Sequence, residues 1–89
     1  MVKRFNIKIY GLVQGVFFRV TAQEQAEKLE LVGFAENKPD GSVYIETEGE
    51  EKNLNQFVKW CNIGPTMARV EKVITTEGDI KNFSKFEVY

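Results

Sequence analysis

Between Arg4 and Arg19 the chain changes its hydrophobic period from two to nearly four, and the change falls on a short loop that contains glycine at Gly11 and Gly15. Phe5, Ile7 and Ile9 alternate with Arg4, Asn6, Lys8 and Tyr10, the pattern of a half-buried strand. Phe18, Ala22, Ala26 and Leu29 then recur near helical spacing, while Gln23, Glu24, Glu27 and Lys28 form a wet face. Gly11-Leu12-Val13-Gln14-Gly15-Val16-Phe17-Phe18-Arg19 joins the two. Glycine lets the backbone turn and approach a ligand closely, and the first amides of the following helix have no partners inside it. The helix dipole favours negative charge at that end, and Arg19 adds a permanent, forked cation suited to phosphate or carboxylate. A strand, a turn and a helix arranged in this way can cradle a small anion.

The remaining elements follow from the same patterns. Gly33 is expected to stop the first helix, and Phe34 to Asn37 to form a second strand ending at the turn Lys38-Pro39-Asp40-Gly41, where proline presets the bend and glycine tolerates positive φ. Val43, Ile45 and Thr47 alternate with Ser42, Tyr44, Glu46 and Glu48, which completes a hairpin. After Gly49, residues Leu54, Phe57, Val58 and Cys61 fall at i, i+3, i+4 and i+7, with Glu50 and Glu51 where a helix dipole welcomes negative charge. Gly64-Pro65 closes this helix. Arg69 to Glu77 is rich in β-branched residues, and Phe83 to Tyr89 ends in Phe86, Val88 and Tyr89, so one long strand or two short ones finish the domain.

The order βαββαβ, with or without a final edge strand, is that of an α+β ferredoxin-like sandwich, two helices on one face of a mainly antiparallel sheet. Strand one rises to the Gly15 loop, helix one descends and strand two rises again. Asn37 should therefore return to the rim that carries Arg19, at the carboxyl edge of parallel strands where ligands of such folds bind. Gly64-Pro65 and Arg69 should reach that rim too. An asparagine beside Pro and Gly ordinarily caps a turn, but its carboxamide both donates and accepts, so it can also hold a water.

Composition narrows the chemistry. The 89 residues make one domain, expected over residues 1–89, and a chain of this size buries about 60 to 65% of its unfolded surface. Histidine is absent and Cys61 is the single cysteine, which removes imidazole-based triads, internal disulfides and the commonest metal sites. Catalysis without metal or cofactor is expected, by positioning and charge or by one of the 13 Asp and Glu carboxylates. The net charge of −1 and the lack of any run of Lys and Arg leave no broad footprint for nucleic acid. The aromatic stacking pattern of an RNA-recognition sheet is missing as well, since Gly41 to Glu48 carries only Tyr44 beside two glutamates. The N-terminus lacks a signal-peptide core and no segment has membrane length, so a cytoplasmic, monomeric protein with no membrane partner is expected.

The chain resembles the acylphosphatase family from end to end. The segment Gly11 to Arg19 is similar to that family's first motif throughout, and Gly33-Phe34-Ala35-Glu36-Asn37 with Gly41, Val43 and Gly49 is similar to its second. The resemblance implies a ferredoxin-like fold and hydrolysis of an acyl phosphate to a carboxylate and inorganic phosphate. It implies that Arg19 binds the phosphoryl group with the amides of Gln14, Gly15, Val16, Phe17 and Phe18 around it, and that Asn37 places the attacking water. Glu36 departs from the pattern, standing where the second motif has a basic or neutral residue; strand pleating should turn it away from the face of Asn37. The other reading is a non-catalytic module that binds acyl or carbamoyl phosphate for a partner enzyme, comparable to the acylphosphatase-like module of hydrogenase-maturation carbamoyltransferases. Cys61 and Trp60 are read as core residues, and Lys38 and Arg69 as solvated surface charges.

Overall fold

A computed structural model describes every residue from Met1 to Tyr89. Its elements are β1 (Val2–Leu12), α1 (Phe18–Lys28), β2 (Val32–Asn37), β3 (Val43–Glu50), α2 (Glu51–Cys61), β4 (Arg69–Gly78) and β5 (Phe86–Val88). The strands form one sheet in the order β4-β1-β3-β2-β5. Every pairing is antiparallel except that of β5 with β2. The expected ferredoxin-like sandwich is present. Ile7 faces Ile45 and Phe5 faces Thr47 across the β1–β3 pair, so alternate residues of both strands share one side. That side packs against Phe18, Ala22 and Ala26 of α1 and Leu54, Phe57 and Cys61 of α2, all within one core. Each large apolar side chain buried there contributes about 1.5 to 3 kcal/mol.

The first helix is not stopped by Gly33. It ends at Lys28, and Glu30 turns the chain out of the helix with φ 57° while the amide of Leu31 donates back to the Ala26 carbonyl at 2.8 Å. Leu31 is buried beneath the turn, the apolar contact that accompanies such helix ends. Gly33 lies inside β2 for a different reason: at φ 144° a Cβ on it would stand 1.9 Å from the Glu46 carbonyl oxygen of β3.

The first strand runs two residues past Tyr10 through a bulge against β4. The last segment is two strands at opposite edges of the sheet, so residues 79–85 must cross its open face. There Glu48, 3% exposed, accepts hydrogen bonds from the amides of Lys81 and Phe83. Phe83 meets Phe34 edge-on with ring centroids 5.8 Å apart.

Candidate active site

The backbone between β1 and α1 is held in an unusual shape. Gly15 has φ 73°, and Phe17, at the N-cap of α1, lies in the left-handed region with φ 65°. No side chain caps the helix. From Gln14 to Val20 no amide donates to a backbone carbonyl; the first to do so is Thr21, to Phe17 O at 3.1 Å, and the Thr21 hydroxyl donates to the same oxygen at 2.7 Å. A bulky residue held at positive φ beside a row of unpaired donors is strain of the kind found at ligand sites. With the positive end of the helix dipole behind it, this loop is built to take an anion.

Two independent ties bring the loop to the end of β2. Gln14 Nε2 donates to the carbonyl oxygens of Lys38, at 2.8 Å, and Ser42, at 3.0 Å, which bracket the turn after Asn37. Arg19 Nη1 donates to the carbonyl oxygen of Tyr89, and the Tyr89 amide donates to Ala35 O at 3.0 Å, two residues before Asn37. Ala35 is buried on the helix-facing side of β2, so strand alternation puts Asn37 on that side as well. Asn37 is exposed, and its carboxamide makes no hydrogen bond within the chain. The turn is capped instead by Asp40, whose carboxylate accepts the Ser42 hydroxyl and amide. Those bonds from Ser42, with the Lys8 ammonium at 3.2 Å, pull the Asp40 carboxyl down to about 2. The usual task of an asparagine beside Pro and Gly is thus taken by another residue, which leaves Asn37 free.

A cleft of about 310 Å³ opens at the start of α1, lined by Val13, Gly15, Phe17, Phe18, Arg19, Val20 and Val88. Of the residues expected to surround the phosphoryl group, Gly15, Phe17, Phe18 and Arg19 line it directly. Val16 is buried in the core, and the Gln14 side chain turns away to hold the Lys38–Ser42 turn. Asn37 stands on the neighbouring strand end rather than in the cleft wall. Gly64 packs against Phe18, and Arg69 pairs with Leu12, so both reach this rim as the topology required. Glu36 faces Tyr44 on the opposite side of the sheet, and Lys38 Nζ lies 2.6 Å from its carboxylate and over the Tyr44 ring. Lys38 is therefore a fixed counter-charge and not a free surface lysine. Sequence reasoning missed Val20, Val88 and the Tyr89 carbonyl; an apolar residue directly after Arg19, on the exposed turn of a helix, was the one available sign.

Away from the rim, Cys61 is fully buried in α2 and its burial raises the thiol far above its ordinary value, so no thiolate forms at neutral pH. No cluster of three or more Cys, Asp or Glu side chains converges as metal ligands, and no helix is long and apolar enough to cross a membrane.

The acylphosphatase family model matches residues 5–88, which is nearly the whole chain. The chain belongs to the acylphosphatase family. An acylphosphatase of Rubrobacter xylanophilus is 45% identical over 75 residues, covering 84% of this chain and 68% of that protein. The crystal structure of acylphosphatase from Bacillus subtilis superposes with a TM-score of 0.95 at 33% identity, covering 100% of this chain and 99% of that one. A full-length HypF, solved in a phosphate- and nucleotide-bound form, contains the same fold with a TM-score of 0.90 at 28% identity, but this chain covers only 12% of it. By family the protein is an enzyme, an acyl phosphate hydrolase, and its fold is that of the family.

Proposed function

We propose that the enzyme hydrolyses the carboxyl–phosphate bond of acyl phosphates with Arg19 and the loop amides from Gln14 to Phe18 holding the phosphoryl group and Asn37 orienting the attacking water. The observation that carries this is the row of unpaired amides ending at a guanidinium, tied through Tyr89 and Gln14 to the strand end that bears an unengaged carboxamide. One Nη1 proton of Arg19 goes to Tyr89 O, and the remaining donors of the fork stay available to phosphoryl oxygens. The water oxygen bonds to phosphorus as the bond from phosphorus to the acyl oxygen breaks. The electron pair leaves on the carboxylate, and the proton of the water passes to the phosphate formed or to solvent. Because a carboxylate is a good leaving group and the transition state is loose, alignment and charge neutralisation supply most of the acceleration. A histidine base is not required.

The family match over residues 5–88 and the 36–45% identity to curated acylphosphatases, against 28% to HypF, favour hydrolysis over a binding module. The enzyme is further inferred to act as a cytoplasmic monomer on a small molecule, with inorganic phosphate as its product ligand and no nucleic-acid or membrane partner; the net charge of −1, with no run of Lys and Arg, supports the absence of a nucleic-acid partner. Arg19→Gln and Asn37→Ala are expected to lower kcat/KM for benzoyl phosphate at least about a hundredfold, as the loss of one donor aimed at a developing charge does, with unchanged circular dichroism. Near-wild-type phosphate release by both variants would falsify the assignment.

A further inference from the structure

The cleft beside Arg19 is larger and less polar than a phosphoryl group needs. Its volume is about 310 Å³, whereas a phosphoryl group fills about the space of two to three waters, each with a share of about 30 Å³. Five of the seven lining residues are apolar, and Arg19 is the one charged residue among them. Val13 and Phe18 are buried and form its floor, so its accessible wall is made by Phe17, Val20 and Val88, which are 72%, 45% and 36% exposed. Their apolar side chains have no role in holding a dianion, whatever the Phe17 amide contributes to the cradle. Their placement is tied to the anchor: Val20 follows Arg19 on α1, and Val88 precedes Tyr89, whose carbonyl oxygen accepts from the guanidinium. One wall is thus a helix and the other an edge strand, fastened together at the phosphoryl-binding residue.

We propose that this wall receives the acyl group of the substrate and selects acyl phosphates whose acyl part is an unionised aromatic or branched aliphatic group, a specificity that rests on Arg19 anchoring the phosphoryl end. An apolar acyl group covers Phe17, Val20 and Val88 and leaves no polar group without water. An acyl group with a second carboxylate gains no cation from the lining, since Arg19 is engaged by the phosphoryl group. The exposed Glu24, one turn along α1 from Val20, adds negative charge on the same helix face and opposes a second carboxylate there.

Steady-state kinetics with benzoyl, acetyl and succinyl phosphate test this in the wild type and in Val20→Ser and Val88→Thr, which alter one wall each. The expected result is that kcat/KM for benzoyl phosphate exceeds that for the other two by about tenfold, the discrimination a few methylene-sized contacts provide. Each variant should lower the benzoyl-to-acetyl ratio several-fold, chiefly through KM. Inhibition by phenylphosphonate relative to methylphosphonate should weaken in parallel, which reads the wall without turnover. Equal efficiency on all three substrates, or variants that slow benzoyl and acetyl phosphate alike, overturns the proposed wall while leaving the hydrolase intact. If none of the three is hydrolysed, the anchoring reading fails first and the proposal fails with it.

Discussion

Gln14 shows how a residue can serve the site without facing it. Its carboxamide nitrogen spans from the cradle loop to two carbonyls of the β2–β3 turn, 24 and 28 residues away in the chain. Gln14→Ala is expected to cost about 1 to 2 kcal/mol of stability, the value of two hydrogen bonds to carbonyls that water then solvates only in part. It should also weaken inhibition by inorganic phosphate, because the loop loses its tie to the Asn37 strand; urea denaturation and a phosphate inhibition constant measure the two effects. At this scale the placement of Arg19 and Asn37 was readable beforehand, since each is a polar residue at the end of a strongly patterned element. The work of Tyr89 was not, because its carbonyl reaches Arg19 across 70 residues and a backbone oxygen has no sequence signature. Val20 and Val88 were hidden for a similar reason: an exposed valine becomes a wall only when a second one stands opposite.

Among the elements, the β1–β4 junction decides whether the rim is built correctly. Gly11 adopts φ 128° at the bulge, and a Cβ there would lie 2.1 Å from Arg69 O and 2.9 Å from the Glu71 amide. Gly11→Ala combines an unfavourable φ with a clash against backbone that cannot swing aside, so a loss of more than about 2 kcal/mol is expected, seen as a lower Tm. Catalytic efficiency should fall with it, since the bulge aims the cradle loop. The sequence patterns located every helix and most strand spans because periodicity is a property of near neighbours. They misplaced the end of α1, assigning the stop to Gly33. A glycine after a helical run reads as a cap, yet this one is required by the closeness of β3, and that contact lies outside any local window.

Over the whole molecule, a charged network on the open face of the sheet holds the 79–85 crossing in place. Glu46 accepts from Arg4 at 2.6 Å, Lys81 at 3.0 Å and the Tyr44 hydroxyl at 2.7 Å. Burial alone would raise the Glu46 carboxyl, but Tyr44, Lys81 and Arg4 together outweigh it and hold the carboxyl below its ordinary 4.5. Burial, reinforced by Glu46, pushes the Tyr44 hydroxyl up to about 12 from 10.0. A depressed carboxyl stabilises the fold above its unfolded value, and that contribution disappears as pH falls below about 4.5. A raised phenol stabilises it below pH 10, and that contribution disappears as pH climbs from 10 towards 12. Urea denaturation across pH should therefore show a plateau between about 5 and 10 with a decline on each side, and Tyr44→Phe should remove the alkaline decline due to this group and also shrink the acid one, since the Tyr44 hydroxyl is among the groups that hold the Glu46 carboxyl down. A profile in which Tyr44→Phe leaves the alkaline limb unaltered would disprove the link.

By itself the amino-acid order determined the number and kind of elements, the core-facing side of each, and the glycine-and-arginine loop, because these depend on residues close together in the chain. It determined the shared rim of Arg19 and Asn37 as well, through the handedness of a strand–helix–strand unit. Tertiary structure alone decided that β4 and β5 take opposite edges, that Glu46 and Glu48 clamp the segment between them, and that the guanidinium is held by Tyr89. It also decided that valines from a helix and an edge strand meet beside the cradle. Each of these rests on partners about 30 to 70 residues apart, whose pairing is chosen by the closing of the whole sheet and not by any local pattern.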